Sequence, residues 1–190
     1  GGYLQLIAYG AQDVYLSNDP QITFFKIIYR RHTNFSVETY EHALLDEPNF
    51  GDKSNIIIPR SGDLMTKMYL RVVVSPVTLM SDEKFAWVRN LGFAIIQQIE
   101  INIGGATIDR QYGTWLDIWY SLVTKSKSDQ AGLRKMIGDV DLMTAYNNNP
   151  KPQYTLFIPL QFWFNRHYGL ALPMISIQYH QVEIKLQFSN

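Results

Sequence analysis

The chain has 190 residues, 46% hydrophobic and 18% charged, which suits one globular domain with a sizeable core. Lys and Arg together number 17, as do Asp and Glu, so the net charge is zero and the basic excess of a general nucleic-acid binder is missing. There is no cysteine, which excludes disulfides and thiolate metal sites, and no apolar run reaches transmembrane length.

The N-terminus, Gly1-Gly2-Tyr3-Leu4-Gln5-Leu6-Ile7, lacks the basic and apolar regions of a secretory signal. It also lacks the Ser or Thr of a myristoylation signal. The chain starts without Met, which predicts a processed product or a segment of something longer. Leu4, Leu6, Ala8 and Val14 alternate weakly, and Ser17-Asn18-Asp19-Pro20 is a turn that also suits a helix start. The apolar run Ile22–Tyr29 ends in Arg30-Arg31-His32, the only basic cluster. At zero net charge this cluster reads better as a solvated strand end than as a phosphate contact.

Period-two alternation predicts strands at 36–45, 64–74, 93–103, 106–111, 154–164 and 177–188, with a minor one at 56–58. In 64–74, Leu64, Thr66, Met68, Leu70, Val72 and Val74 share one face. In 93–103, Ile95, Ile99, Ile101 and Ile103 share one, opposite Gln98, Glu100 and Asn102. Gly104-Gly105 between alternating runs predicts a hairpin, because both positions tolerate positive φ.

A helix follows, with Thr114 and Asp117 as a shortened capping box. Trp115, Ile118, Trp119, Leu122 and Val123 recur at three and four, a stripe expected to pack on a sheet. A second helix is expected over 129–137, with Gly138 as its C-terminal cap. After the loop Asn147–Pro152, Tyr154, Leu156, Ile158, Leu160, Phe162 and Phe164 share one strand face. That leaves Trp163 pointing outward, as at a subunit contact. Val182, Ile184, Leu186 and Phe188 share the inner face of the last strand. The expected fold is all-β, a jelly-roll β-sandwich with a short helical insertion around 114–137.

Candidate chemistry is sparse. His32, His42, His167 and His180 show no His-X-His or His-X-X-X-His spacing, so a jelly-roll metalloenzyme is disfavoured and His180 reads as a satisfied buried or rim histidine. Gly104-Gly105 lacks the context of a phosphate loop. Asp109, Asp117, Asp139 and Asp141 form no acid–base pair by spacing, and there is no Gly-X-Ser-X-Gly elbow. Asn34-Phe35-Ser36 is a glycosylation sequon of little weight. No catalytic, cofactor or metal residue is expected, and the chain does not read as an enzyme. Trp87, Trp163 and Tyr168 leave a carbohydrate-binding module as the alternative.

Several blocks carry a resemblance. They are Gly1–Leu16, Asn18–Lys26, Tyr29–Phe35, Gly62-Asp63-Leu64, Ile99–Gly105 with Ile108-Asp109, Ile158–Phe164, and Gly169–Pro173 with Gln178-Tyr179-His180. In this order they resemble the major capsid proteins of nucleocytoplasmic large DNA viruses. The resemblance implies a double jelly roll whose homotrimers form pseudo-hexameric capsomers tiling an icosahedral shell. It implies a virion location after assembly in the host cytoplasm. Its implied partners are other copies, minor capsid proteins and the internal viral membrane, with no specific nucleic acid. Residues 1–34 would be an N-terminal segment on the inner side of the shell, where Lys26, Arg30 and Arg31 meet acidic groups. Residues 35–190 would be the first jelly roll, incomplete at its C-terminal end, with contacts made by the loops 46–63, 75–92 and 111–153. The second jelly roll has no sequence here.

Overall fold

A computed structural model of the chain describes residues 34–44, 48–80, 82–124 and 126–190. The expectations for 1–33, including Arg30, Arg31 and His32, lie outside the described residues. Contacts divide the chain into the units Gly1–Tyr40 and Glu41–Asn190, and every element below belongs to the second.

The strands are β1 (Lys53–Ile58), β2 (Leu64–Met65), β3 (Tyr69–Val74), β4 (Ile96–Ile103), β5 (Ala106–Gln111), β6 (Tyr154–Pro159), β7 (Leu172–Pro173) and β8 (Val182–Phe188). The helices are α1 (Leu91–Ala94), α2 (Gly113–Val123), α3 (Lys127–Ile137), α4 (Asp141–Thr144) and α5 (Trp163–Arg166). All strand pairs are antiparallel. One sheet has the order β1-β8-β4-β5, and β3–β6 and β2–β7 form separate pairs.

Alternation explains the core. Val182, Ile184, Leu186 and Phe188 of β8 are all buried, as are Ile99 and Ile101 of β4. Leu156 and Ile158 of β6 are fully buried, and Leu70, Val72 and Val74 of β3 pack against the same cluster. The four-stranded sheet and the β3–β6 pair thus share one core. Each fully buried Leu or Ile contributes about 1.5–3 kcal/mol relative to exposure. On the outer face, Glu100 stands between Arg110 of β5 and Lys185 of β8 in the strand register. It accepts hydrogen bonds from Arg110 Nε at 2.5 Å and Gln98 Nε2 at 2.6 Å, and these long neighbours cover it although it faces out.

The β4–β5 hairpin turns as expected through Gly104 and Gly105, at φ of 60° and 84°. α3 also ends as expected, at Gly138 with φ 82°, and Ser126 Oγ caps its start.

Elsewhere the structure corrects the sequence reading. Residues 36–44 form no strand, and Val37 is 70% exposed. The 64–74 segment is two strands with different partners, and Leu64 is exposed while Met65 packs inward. The minor strand at 56–58 is a full strand beside β8. The 93–103 strand begins with the helical turn α1, and the last strand starts at Val182 rather than 177. The 154–164 strand stops at Pro159. Beyond it, Asn165 Oδ1 accepts from the Phe162 amide at 3.1 Å and Asn165 Nδ2 donates to Thr66 O at 2.6 Å, which turns the chain into α5. Phe162 and Phe164 remain fully buried and stacked, 5.8 Å apart, so helix and strand phases coincide there.

Candidate interaction surface

α2 follows β5 directly. Its N-cap is Tyr112, in extended geometry without a side-chain cap. The expected Thr114–Asp117 box does not form, and Asp117 instead accepts from Asn90 Nδ2 at 2.9 Å. The packed side is narrow. Gly113 and Leu116 are buried, and Tyr120 stacks on Phe93 at 5.4 Å. Gly113 is needed for that approach, because a Cβ there would lie 2.1 Å from Phe93 O and 2.3 Å from Ile96 O.

The apolar stripe expected to pack on a sheet is mostly outside. Trp115, Ile118, Leu122 and Val123 are 37%, 53%, 70% and 50% exposed. Only Trp119 is half-buried, 5.7 Å from Trp115 between ring centroids. The physical reason is that the buried side of α2 is Gly113, Leu116 and Tyr120, with Gly113 and Tyr120 set against α1 and the start of β4, so the wider stripe turns away.

α5 sits beside this face. The Arg166 guanidinium lies 4.3 Å from the Trp119 ring centroid, and its Nε donates to Gln161 O at 3.2 Å. Gln161 Nε2 donates to the Tyr120 hydroxyl at 2.5 Å. Burial pushes the Tyr120 pKa up to about 12; the Gln161 bond opposes this and the nearby Tyr69 adds to it. A recess of about 240 Å³ is lined by Lys67, Tyr69, Trp119, Tyr120 and Arg166. A second, of about 350 Å³, is lined by Asp109, Arg110, Gln111, Tyr112, Trp115 and Arg166. Arg166 lines both, so the two recesses adjoin at its side chain beside α2, and the pair is called the α2 groove below. Gln111 Nε2 donates to Gln161 O at 2.7 Å, while its buried Oε1 has no donor. Lys67 Nζ lies 5.4 Å from the Tyr168 ring centroid.

The sequence-derived candidates do not converge. Trp163 is half-buried and edge-on to Phe164 at 5.1 Å, which corrects its reading as an outward contact residue. Trp87 is half-buried against Phe85, Tyr168 is exposed, and none of the three lines either recess. His180 is exposed against the Gly104 turn, and His167 Nδ1 accepts from the Gly169 amide. Among the described residues, no group of three or more His, Cys, Asp or Glu is placed to hold a metal ion. Asp139 pairs with Arg134 at 2.7 Å and more loosely with Arg89 at 3.6 Å. The residues that build the groove, Arg166, Gln161 and Asn165, had no spacing signal, because a turn after β6 and not a periodic element brings them there.

The family described as "Major capsid protein N-terminus" matches residues 23–190, and the chain belongs to it. The chain is 51% identical over 203 residues to "Capsid protein 1" of Acanthamoeba polyphaga mimivirus, covering 99% of this chain and 34% of that protein. Its structure is similar to the crystal structure of PBCV-1 VP54 that was fitted into a reconstruction of the virophage Sputnik, with a TM-score of 0.69 and 32% identity over 88% of this chain. It is similar to a chain of a quasi-atomic model of the PBCV-1 virus capsid, at a TM-score of 0.67 and 33% identity over 88%. The chain spans 38% of each of those two chains. The fold is thus that of a viral jelly roll, with helices α2 to α4 inserted between β5 and β6.

Proposed function

We propose that the chain is a structural part of the capsid of a large DNA virus. The match over residues 23–190 carries this reading. The uncovered apolar side of α2 supports it, because such a surface is best accounted for by contact with another protein. Copies associate as homotrimers, each a pseudo-hexameric capsomer, and capsomers tile an icosahedral shell. Residues 35–190 supply the first jelly roll of the subunit, and a second jelly roll completes it. Residues 1–34 lie on the inner side, toward minor capsid proteins and the internal membrane. The shell is built in the host cytoplasm and the protein stays in the virion, without catalytic duty.

Two measurements on purified virus particles test this. Mass spectrometry should find peptides of this chain at shell stoichiometry, and sedimentation of the released full-length protein should give a trimer. A protein absent from particles, or a monomer at every concentration, overturns the reading.

A further inference from the structure

The groove along α2 is chemically lopsided. Arg166 stands where its two recesses meet, and Lys67 lines the inner one. Among the described residues neither is paired with a carboxylate. Most of the neutral polar groups around them are engaged; Gln111 Oε1, buried in the other recess, is the exception. Gln161 donates to Tyr120, and Asn165 uses both ends of its amide on Phe162 and Thr66. In the recess lined by Lys67 and Arg166, an incoming molecule meets two cations beside aromatic and aliphatic surface, while the Asp109 carboxylate, held by Gln111 Nε2 at 3.1 Å, lies in the other recess. A sugar needs several unused donors and acceptors for its hydroxyls. A peptide that sets an apolar side chain next to a carboxylate fits better.

The chain itself carries such a segment. In the loop between β3 and α1, Met80 is 78% exposed, and Asp82 and Glu83 are exposed beside it. Glu83 there accepts one long bond, from the Met80 amide at 3.3 Å. With zero net charge, two copies meet without overall repulsion.

We propose that Met80, Asp82 and Glu83 of one copy dock in the α2 groove of a second. Met80 packs on the Trp115–Trp119 pair, as thioethers do on aromatic rings, and the Asp82 and Glu83 carboxylates meet Arg166 and Lys67. Loop meets groove, so the contact is head-to-tail, the type that closes into rings. The inference rests on the reading that copies associate and names the surfaces through which they do so.

A charge swap in the full-length protein tests it. Arg166→Glu and Glu83→Arg are made singly and together, with Leu122→Asp as a third, uncharged-to-acidic change on the exposed helix side. Each single variant should weaken association by about tenfold or more in sedimentation velocity, and the double swap should recover most of the loss. Thermal melts show which variants remain folded; if Arg166→Glu melts early, Glu83→Arg and Leu122→Asp, both at exposed positions, carry the test. Wild-type trimers unaffected by any variant overturn the docking but leave the assembly reading standing, and give the groove to another virion protein or an acidic glycan. Weakened singles without recovery in the double overturn the pairing with this loop. A wild-type protein that stays monomeric overturns both.

Discussion

Two glycines in neighbouring helices should respond to the same substitution with opposite signs. Gly113 opens α2 against backbone oxygens of Phe93 and Ile96, and an added methyl would lie 2.1 and 2.3 Å from them. Backbone carbonyls cannot rotate aside as a side chain does. To reach ordinary contact, α2 must retreat by about 1.3 Å. That displacement loosens fully buried Leu116 and the stacking of Tyr120 on Phe93. Overpacking at a rigid site costs about 3 kcal/mol, more than the ~1 kcal/mol that Ala gains over Gly in a helix. Gly132, inside α3, has nothing within 4 Å of an added Cβ, so only the helix gain remains. For a chain of this size 1 kcal/mol moves the midpoint by about 2–4 °C. Gly113→Ala should therefore lower the melting temperature by about 4–8 °C, and Gly132→Ala raise it by about 2–4 °C. Circular dichroism melts of the two variants beside the wild type are sufficient. A Gly113→Ala protein that melts with the wild type or above it refutes the close approach of α2 to β4.

Lys151 is 2% exposed and donates to Ala145 O at 2.7 Å and Asn147 Oδ1 at 3.1 Å, while its backbone pairs with Val77 in both directions. Lys151→Met keeps the volume but removes the donor to Ala145 O, while Asn147 Oδ1 keeps the Asn149 amide at 3.1 Å, so urea unfolding should show a loss of about 1–3 kcal/mol. Hydrogen exchange at the Val77 amide should accelerate in the same variant. Tyr120 gives a pH signature. Its folded pKa is raised to about 12, mainly by burial, so the native state holds the proton more tightly than the unfolded chain with its pKa near 10. That contribution is complete below about pH 10 and is lost as pH rises through about 12. Discounted for partial exposure it amounts to about 1 kcal/mol, seen as a steeper alkaline loss of stability in the wild type than in Tyr120→Phe. Equal slopes for the two proteins would remove the burial argument.

Local chemistry made some elements readable. Gly104-Gly105 specifies a hairpin because no other residue pair takes those dihedrals as easily, and Gly138 stops α3 for the same reason. The inner residues of β4, β6 and β8 follow from alternation because each has a partner on the core side. What sequence left open was decided by neighbours. The stripe Trp115–Val123 was legible as a helix face, but which side meets the sheet depends on Gly113, whose role is fixed by carbonyls of α1 and β4. The alternation at 36–45 was genuine, yet an alternating segment becomes a strand only where an edge accepts it. The run to Phe164 kept its apolar rhythm through a change from strand to helix, since Asn165 bends the chain while both rings stay buried. Arg166 was invisible as a groove residue because that bend alone places it on Trp119.

The place of β8 in the sheet has a consequence for synthesis. It lies between β1 and β4, and bonded partners such as Asn55 and Glu183 are 128 residues apart in sequence. At translation rates of about 5–20 residues per second, β1 leaves the ribosome roughly 6–26 s before the strand that pairs with it. β1, with Ile56-Ile57-Ile58, is open throughout that interval, and the β8-facing edge of β4 is open from its own synthesis until β8 emerges. Two open edges on one nascent chain are templates for a neighbouring nascent chain on the same messenger. The order of strands in this sheet therefore sets the window for mispairing, which closes only when β8 emerges and fills the gap between β1 and β4.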